Sequence, residues 1–487
     1  MSDTDELLSE LRSAAHSLPL SRRWSAISSA LTDWPVDDLH AVAFPYLQSI
    51  FRHEPLERPA AKGWINYKNQ KWSTHVLWPL VNIIEKLDYE PDLFASSVLE
   101  NVEHLGLELP RGKERDALEE DLSQASPLNS LKSLQMRHLQ LDDLSLFAQS
   151  PVLSSLTELD VSGGYFGDDG CGVIATSNTL QHLETLTLNY CKISDAGVRH
   201  LAESKTLSHL KTLGITSGRL SHQGLQMIFS STPFEGLEVL SLGNNDIDGK
   251  FLSLSPGANL HGLKEISIYH NDLKDEGLKE LARCSCLSSV KELNLGRCQL
   301  SDKGVDILAQ SELGKGIVLL GLQCNAISSK AAHIIARHPE FSSALEVLNL
   351  EGAALDSDGV AALAGAPHLN NLRFLGLYRC GIGVDEISEL VKAPWLENLE
   401  TLVLHGNAIT DEGFKMLVGS GRLKRLKSLA MGSTRLTEES LKFLVENYNL
   451  PLVERLNMGA HGFKSLVNFK DYESAFLAHG IKELMLS

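Results

Sequence analysis

The sequence predicts an α/β solenoid, with a parallel sheet on its concave face and helices on its convex face, preceded by a small helical N-terminal domain. Three observations predict this class. An apolar phrase returns about every 27 residues from residue 102 onwards, each return is followed by a helical pattern, and the first hundred residues show neither feature. Each unit of such an array packs only on its neighbours, so a chain of 487 residues needs no larger core than a short one.

The repeated phrase combines a strand pattern with a bend. Leu183, Leu186 and Leu188 are followed by Cys191 and Ile193, so that apolar residues alternate as they do on one face of a strand. A buried polar group or thiol at the position of Cys191 would satisfy backbone groups where the strand ends. The complete copies begin at Leu131, Leu156, Leu183, Leu210, Leu237, Leu263, Val290, Ile317, Leu345, Leu372, Leu399, Leu426 and Val453.

The second half of each copy predicts a helix. After Ile193, Ser194 is a candidate N-cap and Asp195 places a negative charge at the positive end of the helix dipole. Val198 and Leu201 lie on one helical face. A glycine recurs at the position of Gly197 in other copies. Because glycine lowers helix propensity, we expect that it is there to permit close approach of the neighbouring repeat.

The two ends and one internal copy depart from the pattern. A weaker copy begins at Val102 and a truncated one at Ile481, as expected of terminal repeats that cover an open core. Residues 248–262 contain Pro256 and lack the helical phrase, so we predict an irregular convex side there. Residues 461–479 contain no regular copy and are predicted to form a modified C-terminal cap.

The pattern L-x-x-L-x-L-x-x-N/C-x-L resembles that of leucine-rich-repeat proteins. A strand-plus-helix unit near 27 residues resembles the ribonuclease-inhibitor-like type, and the D-x-G-x-x-x-L-A phrase at 302–309 resembles bacterial cytoplasmic repeat proteins. The resemblance implies that the chain is a binding protein rather than an enzyme. We predict a helical N-terminal domain over residues 1–100 and a leucine-rich-repeat solenoid over residues 101–487. The solenoid has an atypical first copy at 102–130 and a cap from about 453 to 487.

The first hundred residues differ in composition from the repeats. They hold all the tryptophans except Trp395. Apolar periodicity near Leu7 and over residues 81–87 predicts helices. Residues 58–78 mix cations with tryptophans, a composition that can bind nucleic acid but that also suits the core of a small helical domain. The core interpretation is the stronger one.

The charge of the chain restricts its partners. The formal charge is −18, whereas nucleic acid and anionic membranes bind basic surfaces, so we expect neither as a partner and favour a protein, with basic proteins as candidates. No apolar run is long enough to span a bilayer. The acidic N-terminus lacks the features of a signal peptide, and we therefore expect a cytoplasmic protein.

No catalytic or ligand-binding signature occurs in the sequence. A phosphate-binding P-loop, a zinc-binding H-E-x-x-H and a nucleophile elbow are all missing. The histidines show no metal-ligand spacing, and Cys284 and Cys286 have no second pair to complete a zinc site. We expect the cysteines to be structural and reduced, and predict no catalytic residue, cofactor or metal.

The outward positions of the strands form the candidate binding surface. Leucines at positions 4 and 6 of the phrase face the core, so positions 3, 5 and 7 face outwards and position 8 lies at the strand edge. The first repeats hold mostly small polar residues there, whereas later repeats hold large ones. Such side chains can simply cover their neighbours, but Tyr, Arg and exposed apolar groups also dominate binding sites. The predicted protein-binding residues are Tyr269, His270, Arg297, Leu319, Val347, Phe374, Tyr378, Arg379 and His405.

The preferred function is a non-enzymatic module that binds a protein partner on the concave face. The alternative is an adaptor or regulatory subunit, ubiquitin-ligase-like or GTPase-activating, whose N-terminal domain docks a second partner. The last strand, near residues 481–486, would leave an open sheet edge if nothing covers it. The chain is therefore expected to be a monomer or a dimer formed through that edge.

Overall fold

The computed structural model describes residues 83–89, 93–94, 99, 102–109, 115–254, 260–448, 450–459, 463 and 469–486. The chain divides into two compact units, Met1–Ile215 and Thr216–Ser487, called here the first and second units. None of the helices in these described ranges has the length and apolarity needed to cross a membrane.

The first unit is a parallel sheet in sequence order, with a helix after most strands. Its strands are β1 (Ile83–Asp88), β2 (His104–Glu108), β3 (Ser133–Met136), β4 (Glu158–Asp160), β5 (Thr185–Thr187) and β6 (Thr212–Gly214). Its helices are α1 (Arg115–Gln124), α2 (Leu141–Gln149), α3 (Gly167–Thr176) and α4 (Asp195–Ala202), and a 3-10 turn spans Pro151–Leu153.

Strand β1 corrects one expectation. The apolar periodicity of residues 81–87 predicts a helix, but Ile83–Asp88 is a strand that pairs in parallel with β2. The β-branched Ile83 and Ile84 favour extended backbone, and periodicity over so short a stretch does not separate helix from strand. The sheet thus begins before residue 101. The other described positions below 101 are 89, 93, 94 and 99, so the remaining predictions for residues 1–100, including the 58–78 segment, lie outside the described residues.

The second unit repeats the same arrangement. Its strands are β7 (Val239–Ser241), β8 (Glu265–Ser267), β9 (Glu292–Asn294), β10 (Leu319–Gly321), β11 (Val347–Asn349), β12 (Phe374–Gly376), β13 (Thr401–Val403), β14 (Ser428–Ala430), β15 (Arg455–Asn457) and β16 (Glu483–Met485). Its helices are α5 (His222–Ser230), α6 (Lys274–Arg283), α7 (Asp302–Ala309), α8 (Ser329–Arg337), α9 (Pro339–Ser342), α10 (Ser357–Ala364), α11 (Val384–Leu390), α12 (Asp411–Gly419), α13 (Glu438–Glu446) and α14 (Phe469–Ala478). Its 3-10 turns span Thr232–Phe234, Gly249–Phe251, Ser285–Leu287, Pro367–Asn371 and Pro394–Asn398.

Two of the regions predicted to depart from the pattern lie partly within the described residues. The described part of residues 248–262 holds the 3-10 turn Gly249–Phe251 where other repeats hold an α-helix. The C-terminal cap contains α14, which packs against α13 and β16. Strand β16 pairs with β15, and Met485 is 53% exposed; whether this edge joins two copies of the chain stays a prediction.

In several repeats, an aspartate at the start of one helix hydrogen-bonds to the capping residue of the next helix. In the first unit, Ser194 caps α4 by accepting a hydrogen bond from the Ala196 N–H at 3.2 Å. Asp168 of the preceding repeat accepts from the Ser194 N–H at 2.7 Å and from its hydroxyl at 2.6 Å. A Cβ at Gly197 would lie 2.5 Å from Asp168 Oδ1, so the glycine permits this approach, as predicted. In the second unit the same bonds join Asp275 to Ser301, Asp302 to Ser328, and Asp411 to Thr437.

A buried polar side chain holds the bend after several of the strands, also as predicted. Asn407 accepts from the N–H groups of Cys380 and Ile382, at 3.0 and 3.1 Å, and donates to the carbonyls of Leu377 and Leu404, at 2.7 and 2.9 Å. The thiol of Cys380 donates to the carbonyl of the buried residue Leu350 at 3.1 Å. Because burial raises the pKa of Cys380 to about 12, its proton is retained for that bond.

One cysteine expectation is wrong. Cys284 and Cys286 form a disulfide rather than two reduced thiols. The 3-10 turn Ser285–Leu287 that follows α6 brings their Cα atoms to 5.3 Å, within the range that a disulfide bridges.

Candidate protein-binding surface

Three rows of side chains project from the outward side of the sheet in the second unit. The strand row is the first residue of each strand, the turn row lies two residues after the strand ends, and the left-handed row follows it directly. The nine predicted binding residues fall in all three rows: Leu319, Val347 and Phe374 in the strand row, Tyr269, Tyr378 and His405 in the turn row, and His270, Arg297 and Arg379 in the left-handed row.

Three neighbouring residues of the strand row form an apolar strip. Leu319, Val347 and Phe374 are direct register partners on β10, β11 and β12, and all three are half-buried. Their buried neighbours, such as Leu348, face the core, so the alternation required of a strand is obeyed. These three predicted residues therefore lie side by side, with part of each side chain accessible.

The left-handed row takes its name from its backbone. His270, Arg297 and Arg379 have φ values of 55°, 54° and 51°, a region that non-glycine residues seldom adopt. Their N–H groups continue the ladder beyond the strands, as in the bond from Arg379 to the carbonyl of His405 at 3.0 Å. The three side chains are exposed. The backbone thus fixes where each side chain leaves the surface.

Tyr378, Arg379 and His405 are in mutual contact and are called here the Tyr378 cluster. The Arg379 guanidinium carbon lies 5.0 Å from the centre of the Tyr378 ring, within the range of a cation–π contact. The rings of Tyr378 and His405 meet edge to face, with centroids 6.4 Å apart and planes at 80°. His405 Nδ1 accepts the Gly432 N–H at 2.6 Å, which leaves Nε2 as the protonated donor in the neutral ring.

Tyr269 lies apart from this cluster. Its ring covers Gly243, where any side chain would collide with it. Three repeats, with Gly296, Gln323 and Glu351 in the turn row, lie between Tyr269 and Tyr378. Gln323 similarly fills the space over Gly296 and donates to Asn294 at 3.1 Å. The structure therefore brings Leu319, Val347 and Phe374 together in the strand row, while the turn row changes from aromatic to non-aromatic and back between Tyr269 and Tyr378.

Two carboxylates in the strand row were missed by the sequence reasoning. Glu265 and Glu292 are register partners on β8 and β9, and Glu292 pairs in turn with Leu319. Burial, with repulsion from Glu292 added, raises the pKa of Glu265. Reading the strand row as one column would have found them, because they occupy the same position as Leu319. Among the described residues, no group of three or more His, Cys, Asp or Glu side chains is arranged to hold a metal.

The comparison with known families agrees with this architecture. The family model described as Leucine Rich repeat matches residues 152–175, 179–202, 261–282, 286–309 and 396–418, each of which contains strand-to-helix segments described above. This chain is a leucine-rich-repeat protein. No curated protein sequence matches it.

Several solved structures are similar to this leucine-rich-repeat protein. An internalin from Listeria monocytogenes is 20% identical, with 74% of this chain and 88% of that chain covered and a TM-score of 0.44. A structure of the Rad7 and Elc1 complex in yeast is 18% identical, with coverages of 71% and 80% and a TM-score of 0.44. A TDR receptor is 15% identical, with coverages of 78% and 63% and a TM-score of 0.36.

Proposed function

We propose that this leucine-rich-repeat protein binds a protein partner on the outward sheet face of its second unit, with the Tyr378 cluster as the main contact. The observation that carries the proposal is the contact of an exposed Arg379 with Tyr378 and of Tyr378 with His405. Arginine and tyrosine are enriched among the residues whose truncation costs most at protein interfaces. In this cluster the contacts between the Arg379, Tyr378 and His405 side chains hold these groups in position before a partner binds.

The strand row supplies the apolar part of the same surface. Leu319, Val347 and Phe374 adjoin one another through strand pairing, and Phe374 begins the strand that leads to Tyr378. An apolar strip beside an aromatic and cationic cluster matches the usual composition of an interface core. A partner would bury the strip and exchange the solvent around Arg379 for a carboxylate or a carbonyl oxygen.

The test compares purified variants of the full chain as bait in extract from its native cell. We expect a protein retained by the wild type to be lost with the double change Tyr378→Ala and Arg379→Glu, because both contacts of the cluster are removed. The reversal Lys303→Glu, on exposed α7, is the control with the same charge change. Retention by both variants, or loss by both, would contradict the proposal. With the retained protein purified, Kd should rise at least about tenfold in the double variant.

The adaptor alternative depends on residues 1–100, which lie almost entirely outside the described residues. It remains a prediction that no contact in the described structure supports or opposes.

A further inference from the structure

The strand row of the second unit changes from acidic to apolar between β9 and β10. Each residue of the row is the register partner of the next, and from β7 to β13 they are Val239, Glu265, Glu292, Leu319, Val347, Phe374 and Thr401. Glu265 and Glu292 are called here the carboxylate pair. Parallel strands lie about 4.8 Å apart, so the run from Glu265 to Phe374 measures about 19 Å, the length of a short peptide segment.

The carboxylate pair differs from the other charges that face each other across neighbouring repeats. At the position just before the strand, opposite charges of neighbouring repeats are joined at 2.5 to 2.9 Å in four places: Glu184 with Lys211, Glu238 with Lys264, Glu400 with Lys427, and Glu454 with Lys482. Like charges at facing positions of neighbouring strands repel instead. The chain therefore carries the carboxylate pair at a cost to its own stability.

The cations nearest in sequence do not compensate the carboxylate pair. Burial and repulsion from Glu292 both raise the pKa of Glu265, and no cation of the described residues acts to lower it. Lys264 and Lys291 directly precede the two glutamates. Lys264 is bonded to a carboxylate of the preceding repeat at 2.5 Å, and Lys291 to a carbonyl of the following repeat at 3.2 Å. The negative charge of the pair is thus left for a group outside the described residues.

The other charged groups of this face lie outside the strand row. His270, Arg297 and Arg379 belong to the left-handed row, five residues beyond the strand row of their own repeats. Glu351 belongs to the turn row and accepts from the thiol of Cys324 at 3.6 Å. Along the strand row itself, two carboxylates are therefore followed by three apolar side chains.

From this order of groups we propose that the partner presents a segment with an arginine between Glu265 and Glu292 and apolar side chains on Leu319, Val347 and Phe374. The inference rests on the function proposed above, because the apolar strip belongs to that surface. A guanidinium carries donors on more than one side and can bond to both carboxylates at once, while its aliphatic stem lies on Leu319. An acidic segment would add to the repulsion, and a purely apolar one would bury the carboxylates without a partner.

The test measures fluorescence anisotropy of the labelled peptide Arg-Arg-Ser-Leu-Ser-Leu-Ser-Leu titrated with the full chain. We expect saturable binding that weakens at least about tenfold in Glu265→Gln and in Glu292→Gln, since each removes one acceptor of the arginine. Two comparison peptides, one with glutamates in place of the arginines and one with serines in place of the leucines, should bind at least about tenfold more weakly. Glu158→Gln is the matched control, because Glu158 is an exposed carboxylate of the strand row in the first unit, and it should bind the peptide normally.

Thermal unfolding separates a contact role from a structural one. Glu292→Gln should unfold at a temperature equal to or above that of the wild type, because the repulsion on Glu265 is removed. A glutamate that stabilised the fold would instead give a lower unfolding temperature when replaced. Glu158→Gln, with Thr185 as its register partner on β5, should leave the unfolding temperature unchanged.

Four outcomes would overturn the proposal. They are no saturable binding of the arginine peptide, equally tight binding of either comparison peptide, binding that survives both Glu265→Gln and Glu292→Gln, and a lower unfolding temperature for Glu292→Gln. If the double change Tyr378→Ala and Arg379→Glu loses the native partner but the arginine peptide does not bind, this inference alone fails. If the peptide binds as expected but the double variant keeps the native partner, the Tyr378 cluster is wrong as the main contact and the carboxylate pair stands.

Discussion

The two sides of the sheet in the second unit follow different rules. The inward residues of β7 to β15, such as Leu240, Leu293 and Leu402, are all apolar and almost fully buried. The outward rows of the same strands carry acidic, aliphatic, aromatic and cationic side chains in turn. The same backbone supports both, so the inward side specifies the repeat and the outward side is free to specify a partner. A change on one side should therefore leave the property of the other side intact.

The largest loss of stability is expected at the bend, with Asn407→Ala. Asn407 is 4% exposed and makes four hydrogen bonds to backbone groups within 3.1 Å. Its removal leaves buried donors and acceptors unpaired, at a cost of about 3 kcal/mol or more. Urea unfolding followed by circular dichroism would measure it. The control is Cys380→Ala at the same repeat position, which loses weaker bonds and should cost about 1 kcal/mol.

If the two changes had equal cost, the bend would depend on the volume of the side chain and not on its hydrogen bonds. That result would remove the reason given above for the recurrence of Asn and Cys at the bends. It would also weaken the distinction between the two sides of the sheet, because the bend would then tolerate many residues.

Gly197→Ala should give the next largest effect. A Cβ there would lie 2.5 Å from Asp168 Oδ1 and 2.8 Å from Ile193 Cγ2, and overpacking of this kind costs about 1–3 kcal/mol. Better helix propensity offsets part of it. The matched control is Gly419→Ala, whose Cβ would meet nothing closer than Phe443 at 3.7 Å. Urea unfolding should show a loss for the first variant and none for the second; equal losses would contradict the role assigned to Gly197.

These inward and inter-repeat features could be predicted from the sequence because they recur. The leucines, the bend cysteine Cys191 and the capping Ser194 repeat with the period, and the structure places each where the pattern requires. Strand β1 could not be predicted, since a single edge strand has no copy to align with. The contacts within the candidate site could not be predicted from the repeat pattern either. Periodicity places Tyr378 and His405 in one row, but the hydrogen bond from Gly432 that orients His405 depends on three-dimensional packing.

The smallest loss of stability is expected from a change at Asp411, which lies on neither side of the sheet but at the start of helix α12. It is half-buried on the helical side and accepts from Thr437 and Ser440. Burial acts to raise its pKa, but the hydrogen bonds from Ser440 and Thr437 outweigh burial and hold the pKa below its usual value. Because the folded-state pKa is depressed, the carboxylate contributes stability above its unfolded pKa of about 3.9, and that contribution is lost as the pH falls through the folded value.

Asp411→Asn should therefore be less stable than the wild type at pH 7, by about 1 kcal/mol after allowance for solvent screening. The difference should shrink below about pH 4, because the wild-type carboxyl then takes up a proton and loses the same charge. Urea unfolding of both proteins at pH 7 and at pH 3 measures the stability difference under each condition. Asp306→Asn, on the half-buried face of α7, is the control and should change the stability at pH 7 by less than about 0.5 kcal/mol. If the stability difference for Asp411→Asn stays constant with pH, the shape of the side chain, and not its charge, joins the neighbouring repeats.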